Sequence, residues 1–198
     1  MTQMTKVKMA IINFTPFPVL TTERLTLRQL STADQQDIFV PRSDSEINKY
    51  LYREPSKSIT DAINFIDKIN DNIKNNHSIY WVISLTSTKT FVGTICLFDF
   101  SGETTIKNEQ YEQDKNSCEI GYELMTEFQG QGMMKEALTE VINYAFETLE
   151  FQKIVAFTHR KNESSTKLLT KFNFLPANEA NEENPDLTIY ALEKRCIN

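Results

Sequence analysis

Glu119–Leu138 reads EIGYELMTEFQGQGMMKEAL, and this stretch decides the fold. Cys118–Met125 has the composition of a strand. Gly132–Glu150 puts Met134, Leu138, Val141, Ala145 and Leu149 on one helical stripe. Only the short segment 126–131, TEFQGQ, separates the two, and Gln129–Met134, QGQGMM, lies at the helix N-terminus. A helix that starts straight after a strand leaves its first backbone N–H groups without intrahelical acceptors. They point outward with the positive end of the helix dipole and make an anion site. Gly130 and Gly132 remove side chains where a phosphate oxygen would approach closely. Two glycines before a helix also make an ordinary tight turn. The loop is neither a P-loop, whose lysine it lacks, nor a dinucleotide fingerprint, whose glycine spacing it lacks.

Upstream, Arg24–Leu30 alternates as a first strand, and Ser31 with Asp34 opens a helix that Pro41 should end near Val40. Asp44–Leu51 suits a short helix. Ser58–Asn76 is strongly amphipathic, with Ile59, Ile63, Ile66 and Ile73 at helical spacing. Ile79–Leu85 and Thr90–Phe100 are apolar and β-branched around a polar turn, hence a buried hairpin. Gly93 inside the second of these strands signals a bulge or a close backbone approach. Ser101–Ser117 is polar and acidic and suits an exposed loop. Downstream follow a strand at Lys153–Thr158, a helix at Asn162–Phe172 and a strand at Leu187–Leu192. The expected fold is α/β: a single domain with a mixed, mostly antiparallel sheet flanked by helices. Residues 1–20 read as a loose N-terminal extension and 21–198 as the domain.

The 198 residues suffice for one sizeable core. The net charge of −6 argues against a nucleic-acid binder and fits a cationic partner. Cys96, Cys118 and Cys196 match no zinc spacing, so no metal is expected, and an odd count implies no disulfide framework. The N-terminal apolar run is broken by Asn13, Thr15, Pro16 and Pro18, too early for a signal peptide. No stretch approaches the roughly 20 apolar residues of a membrane span. A cytoplasmic protein is expected. His77 reads as surface, His159 as a strand end beside Asn162, and Trp81 as core.

The central loop resembles that of the GCN5-related N-acetyltransferase (GNAT) superfamily, Arg/Gln-x-x-Gly-x-Gly/Ala. Gln129 and Gly132 match it, while Met134 replaces its last small residue. FQGQGMMKEAL, TERLTLRQL, FVGTICLF, EIGYEL and N-x-x-S are together similar to the branch that acetylates ribosomal-protein N-termini. The resemblance covers roughly residues 20–195 and implies an acetyl-CoA-dependent N-acetyltransferase, monomeric or homodimeric. The acceptor it implies is an amine, with a ribosomal-protein N-terminus as one candidate. Small-molecule amines and a non-catalytic coenzyme-binding module are the alternatives.

The resemblance also implies residue roles. Backbone amides of Gln129, Gly130, Gln131, Gly132, Met133 and Met134 would cradle the coenzyme pyrophosphate. Tyr122 and Leu124 would pair through their backbones with the pantetheine arm. Asn162 and Ser165 would contact the arm near the thiol, although Asn162 also fits a plain N-cap. Glu119 would be the general base. Seven residues after Asn162, where many relatives carry an acidic tyrosine, this chain has Leu169, which leaves the proton donor open. Asn173–Phe174 stands for a Gly-Phe, and asparagine is the next-best residue for a left-handed cap.

Overall fold

Ser78–Leu85 (β3) and Phe91–Phe98 (β4) pair as an antiparallel hairpin inside the sheet. Ser78 to Ser84 are all buried, because both faces of β3 are covered. Tyr80 points to one layer and meets Phe65 of helix α3 (Ile59–Lys74), with ring centroids 5.6 Å apart. Its neighbour Trp81 points the other way, onto Tyr144 at the end of α4 (Met133–Asn143), also at 5.6 Å. The strand period of two thus divides one core between two helical layers.

The computed structural model describes residues 12–100, 116–177 and 184–194. The remaining strands are β1 (Leu20–Thr21), β2 (Leu25–Gln29), β5 (Ser117–Leu124), β6 (Lys153–His159), β7 (Leu175–Pro176) and β8 (Leu187–Glu193). They form one sheet in the order β1-β2-β3-β4-β5-β6-β8-β7. Every neighbouring pair is antiparallel except β5 with β6. This is the mixed, mostly antiparallel α/β sheet expected. Helices α1 (Gln35–Ser43), α2 (Ser45–Asn48) and α3 precede the central hairpin; α4 and α5 (Glu163–Lys171) flank β6 in sequence.

Several expectations change. Pro41 does not end α1 but lies inside it, two residues from its end. Proline lacks its backbone N–H, so it costs the helix one intrahelical hydrogen bond. Its carbonyl accepts from Asn48 Nδ2 at 2.9 Å, and Asp44 N–H closes the helix on Val40 O at 3.1 Å. The short helix is only Ser45–Asn48, N-capped by the Asp44 carboxylate. Gly132 is the N-cap of α4 rather than its first residue, and the last turn widens into a π-helical segment, Tyr144–Thr148. Ser117 belongs to β5; residues 101–115 of the expected loop, and Cys196, lie outside the described residues.

From residue 12 onward the chain is not loose. Phe14 is buried and Trp81 Nε1 donates to Pro18 O at 2.8 Å. Asn173 has φ +63, and Phe174 N–H reaches back to Leu169 O at 3.1 Å. That is the left-handed helix stop asparagine tolerates. Among the described residues no helix is long and apolar enough to cross a membrane.

Candidate active site

The site begins where the sheet opens. β5 and β6 pair over three residue couples only: Ser117–Lys153, Cys118–Ile154 and Glu119–Val155. Beyond them β5 stays paired with β4 as far as Gly93–Leu124, and β6 stays paired with β8 as far as His159–Leu187. The facing edges of Ile120–Leu124 and Ala156–His159 have no strand between them. β5 follows β4 because Gly93 allows an unusually close approach: a Cβ there would lie 2.3 Å from the Glu123 carbonyl oxygen. A bulge at Val92, skipped between the couples Ile83–Gly93 and Ser84–Phe91, adds local twist.

The loop stands at the mouth of this notch. Gly130 and Gly132 have φ of +74° and +78°, conformations L side chains rarely adopt. A Cβ on Gly130 would meet nothing within 4 Å, so backbone angle, not protein crowding, calls for glycine there. The amides of residues 130–134 donate to no acceptor among the described residues. Gln129 Nε2 donates to Leu124 O at 3.2 Å and Gln131 Nε2 to Glu127 O at 2.7 Å. Both glutamines therefore brace the loop and leave its outward amides free. Met133 and Met134 bury their side chains, so only their backbones face the loop's concave side. Open amides, positive-φ glycines and a helix N-terminus fit a pyrophosphate.

Arg24 and Glu136 fix this loop in place, and the sequence reading did not single them out. Glu136, in the first turn of α4, forms an ion pair with Arg24 Nε at 2.7 Å. It also accepts from Arg24 N–H at 2.9 Å and from the Thr22 hydroxyl. Arg24 Nη1 then donates to Gln131 O at 3.2 Å. Burial alone would raise the Glu136 carboxyl, but these donors outweigh it and hold the pKa below its ordinary value. Arg24 and Glu136 stand 112 positions apart, so no local pattern could signal the pair.

On the α3 side of the sheet, a cavity of about 690 Å³ abuts the unpaired part of β5 at Gly121, Tyr122 and Glu123. Glu119 is 8% exposed and does not line it; its partner Asp99 does. Burial, then the Asp99 charge and a hydrogen bond with Asp99, push the Glu119 carboxyl up to about 8. Glu123 lines the cavity and is committed to Arg53, Oε2 to Nη2 at 2.7 Å, with Thr94 Oγ1 at 3.3 Å from Oε1.

Across the notch, the Tyr122 hydroxyl is 2.9 Å from Ser165 Oγ in the first turn of α5. Asn162 accepts from Ser165 N–H at 3.1 Å and is the helix cap. Leu169 is fully buried, so no group at that position faces the notch. His159 packs against Tyr50, centroids 5.1 Å apart, and its Nδ1 accepts from Lys161 N–H at 3.1 Å. His77 is exposed at the cavity rim. Burial pushes the Cys96 thiol up to about 12 and raises that of Cys118; Cys118 is buried, while Cys96 is half-buried and lines the cavity.

Comparison with known proteins agrees with this geometry. A family model described as an acetyltransferase (GNAT) domain matches residues 24–175. The uncharacterized N-acetyltransferase YoaA of Bacillus subtilis (strain 168) is 32% identical over 158 residues, 80% of this chain and 83% of that protein. Two solved structures share the fold. A ribosomal α-N-protein acetyltransferase, RimL, in complex with coenzyme A has a TM-score of 0.73 at 16% identity, covering 89% of this chain and 98% of that one. A spermidine N-acetyltransferase from Vibrio cholerae in complex with CoA and spermine has 0.70 at 21%, covering 87% and 96%. The notched sheet, the amide-lined loop at its mouth and the match over most of the sequence make this chain an N-acetyltransferase of the GNAT family.

Proposed function

We propose that the enzyme transfers the acetyl group of acetyl-CoA to the α-amino group of a peptide or protein N-terminus. The observation that carries this reading is the Glu119–Asp99 carboxyl pair beside the cavity, with Glu119 raised to about 8. An amine attacks a thioester only when neutral. Deprotonating a lysine-type amine at pH 7 costs about 4–5 kcal/mol, an α-amine only about 1 kcal/mol. A carboxylate titrating near 8 matches an α-amine of pKa about 7.7–8, and matched pKa values near the working pH suit proton transfer.

Each residue then has a task. Amides of Gly130, Gln131, Gly132, Met133 and Met134 hold the coenzyme pyrophosphate, while the Gln129 amide, expected to join them, is spent on Thr126 O at 3.2 Å; Arg24 and Glu136 keep the loop in shape. The open edge of β5 at Tyr122 and Leu124 receives the pantetheine arm as an added strand. Acetyl-CoA supplies the activated acyl group. Glu119, through Asp99, draws the proton from the acceptor ammonium. Because Leu169 is sealed in the core, the Tyr122–Ser165 hydroxyl pair serves as proton donor at the notch. The fold is shared with a ribosomal α-N-protein acetyltransferase and equally with a spermidine acetyltransferase, which defines the rival acceptor class.

Turnover should be compared on a peptide with a free N-terminus, on the same peptide N-blocked but carrying lysine, and on spermidine. Fastest thiol release on the first is expected. Faster acetylation of either other acceptor would refute the α-amine preference and leave acetyl transfer standing.

A further inference from the structure

The charges in the cavity do not cancel. Arg42, Arg53, Lys68, Asp99 and Glu123 line it. Arg53 and Glu123 neutralise each other at 2.7 Å, and Arg53 Nε is further held by Asn48 Oδ1 at 2.6 Å. Asp99 is engaged with Glu119. The Asp99–Glu119 pair shares a proton and still carries one negative charge, so against the two further cations, Arg42 within the cavity and Lys68 at its exposed rim, the lining keeps one net positive charge.

Arg42 is the unusual one. Its guanidinium lies over the Phe65 ring, 3.8 Å from the centroid, so its position is fixed. Its Nε is buried with no hydrogen-bond partner. No carboxylate lies within ion-pair distance of it among the described residues. Burial, and then the neighbouring Arg53 charge, lower its pKa from the ordinary arginine value and outweigh the opposing Glu123 charge. Buried donors are normally satisfied, and a planar guanidinium matches carboxylate and phosphate oxygens in paired fashion. The chain as a whole carries −6, which would favour a basic acceptor. Within about 8 Å, the screening length at physiological salt, the local charges decide instead.

We propose that the acceptor carries an anionic group, a carboxylate or a phosphate, which binds Arg42 while its amine faces the Asp99–Glu119 end of the cavity. This rests on the cavity being the acceptor site and, for peptides, on the α-amine reading above. Arg42 and Asp99 line the same cavity. Amine and anion therefore belong to one molecule, such as an N-terminus followed directly by an acidic or phosphorylated residue.

The test uses four hexapeptides with free N-termini, identical except for Asp, phosphoserine, Asn or Lys in second place. KM for the Asp or phosphoserine peptide should be at least about tenfold below that for Asn and Lys, the scale of a charge-assisted hydrogen bond, and which of the two is lower identifies the anion. In Arg42→Gln the ratio should collapse to about one, with partial recovery in Arg42→Lys. Circular dichroism and the melting shift with free coenzyme A confirm that each variant is folded; if Arg42→Gln is not, Arg42→Lys must still reduce the ratio. Equal KM values, a lowest KM for Lys, or a preference that survives both variants overturns the proposal. If no peptide is acetylated, 4-aminobutyrate and butylamine replace them. A preference for 4-aminobutyrate lost in the variants then refutes only the peptide reading, and no preference refutes this inference.

Discussion

Asp99 and Glu119 hydrogen-bond carboxyl to carboxyl at the β4–β5 junction, one facing the cavity and the other buried behind it. A proton shared this way sits next to the open edge of β5. Glu119 is thereby kept largely uncharged at pH 7 yet able to ionise near pH 8.

Glu119→Gln should lower turnover at pH 7 by roughly 10²-fold, the low end of general-base effects. The deficit should hold below pH 8 and shrink above it, where the acceptor amine deprotonates unaided. Coenzyme A should still bind. Wild-type turnover in a folded variant at neutral pH would make Glu119 a structural residue.

The same carboxyl sets a pH dependence of stability. Its folded pKa of about 8 lies above the ordinary value of 4.5. The folded state therefore holds the proton more tightly than the unfolded chain does. The stability from this group is complete below about pH 4.5 and is lost as pH rises through about 8. Glu119→Gln should melt progressively higher relative to wild type between pH 5 and pH 9, in calorimetry at matched ionic strength. A pH-independent difference would mean that the carboxyl is not raised.

Gly132→Leu should abolish the melting shift that free coenzyme A gives the wild type, because a side chain then occupies the phosphate approach. The variant should also lose about 1–2 kcal/mol of stability, since Gly132 sits at φ +78. An undiminished ligand shift in a folded Gly132→Leu protein would remove this loop from the binding site.

Glu136→Ala should weaken coenzyme A binding several-fold without touching the cavity. It frees Arg24 and leaves Arg24 N–H and the Thr22 hydroxyl without their acceptor, at about 1–3 kcal/mol for the buried part. Isothermal titration of coenzyme A into both proteins measures this directly; equal affinities would show that the loop keeps its shape without the clamp.

Tyr122→Phe should reduce turnover about tenfold or more with coenzyme A affinity intact, because the hydroxyl that bonds Ser165 is lost but the β5 backbone is not. Burial pushes the Tyr122 hydroxyl up to about 12. It therefore stays protonated over the whole working range. An unchanged rate would pass the donor role to Ser165 or solvent.

The elements were legible wherever a periodic pattern met a clear stop. The isoleucines of α3, the β3–β4 hairpin and the strand–loop–helix at Glu119–Leu138 all stand as read. So does the close approach at Gly93. Pro41 misled because its effect depends on how near the helix end it falls, which tertiary bonds to its carbonyl decide. The candidate site was legible only where its residues lie in sequence order, in the loop and on β5. Arg24, Arg42, Arg53 and Asp99 come from separate elements, and folding alone brings them to the site. Arg42 in particular lies just past the proline expected to end its helix.

The strand edges of this sheet have a consequence for solubility. The outermost strands, β1 and β7, are two residues long, and β7 contains Pro176. Such edges offer little to a foreign strand. Among the described residues, longer edges without a neighbouring strand lie instead in the interior, along Ile120–Leu124 and Ala156–His159. The molecule keeps its stickiest backbone inside a wedge closed at one end, where a slender ligand can enter and a second polypeptide sheet cannot.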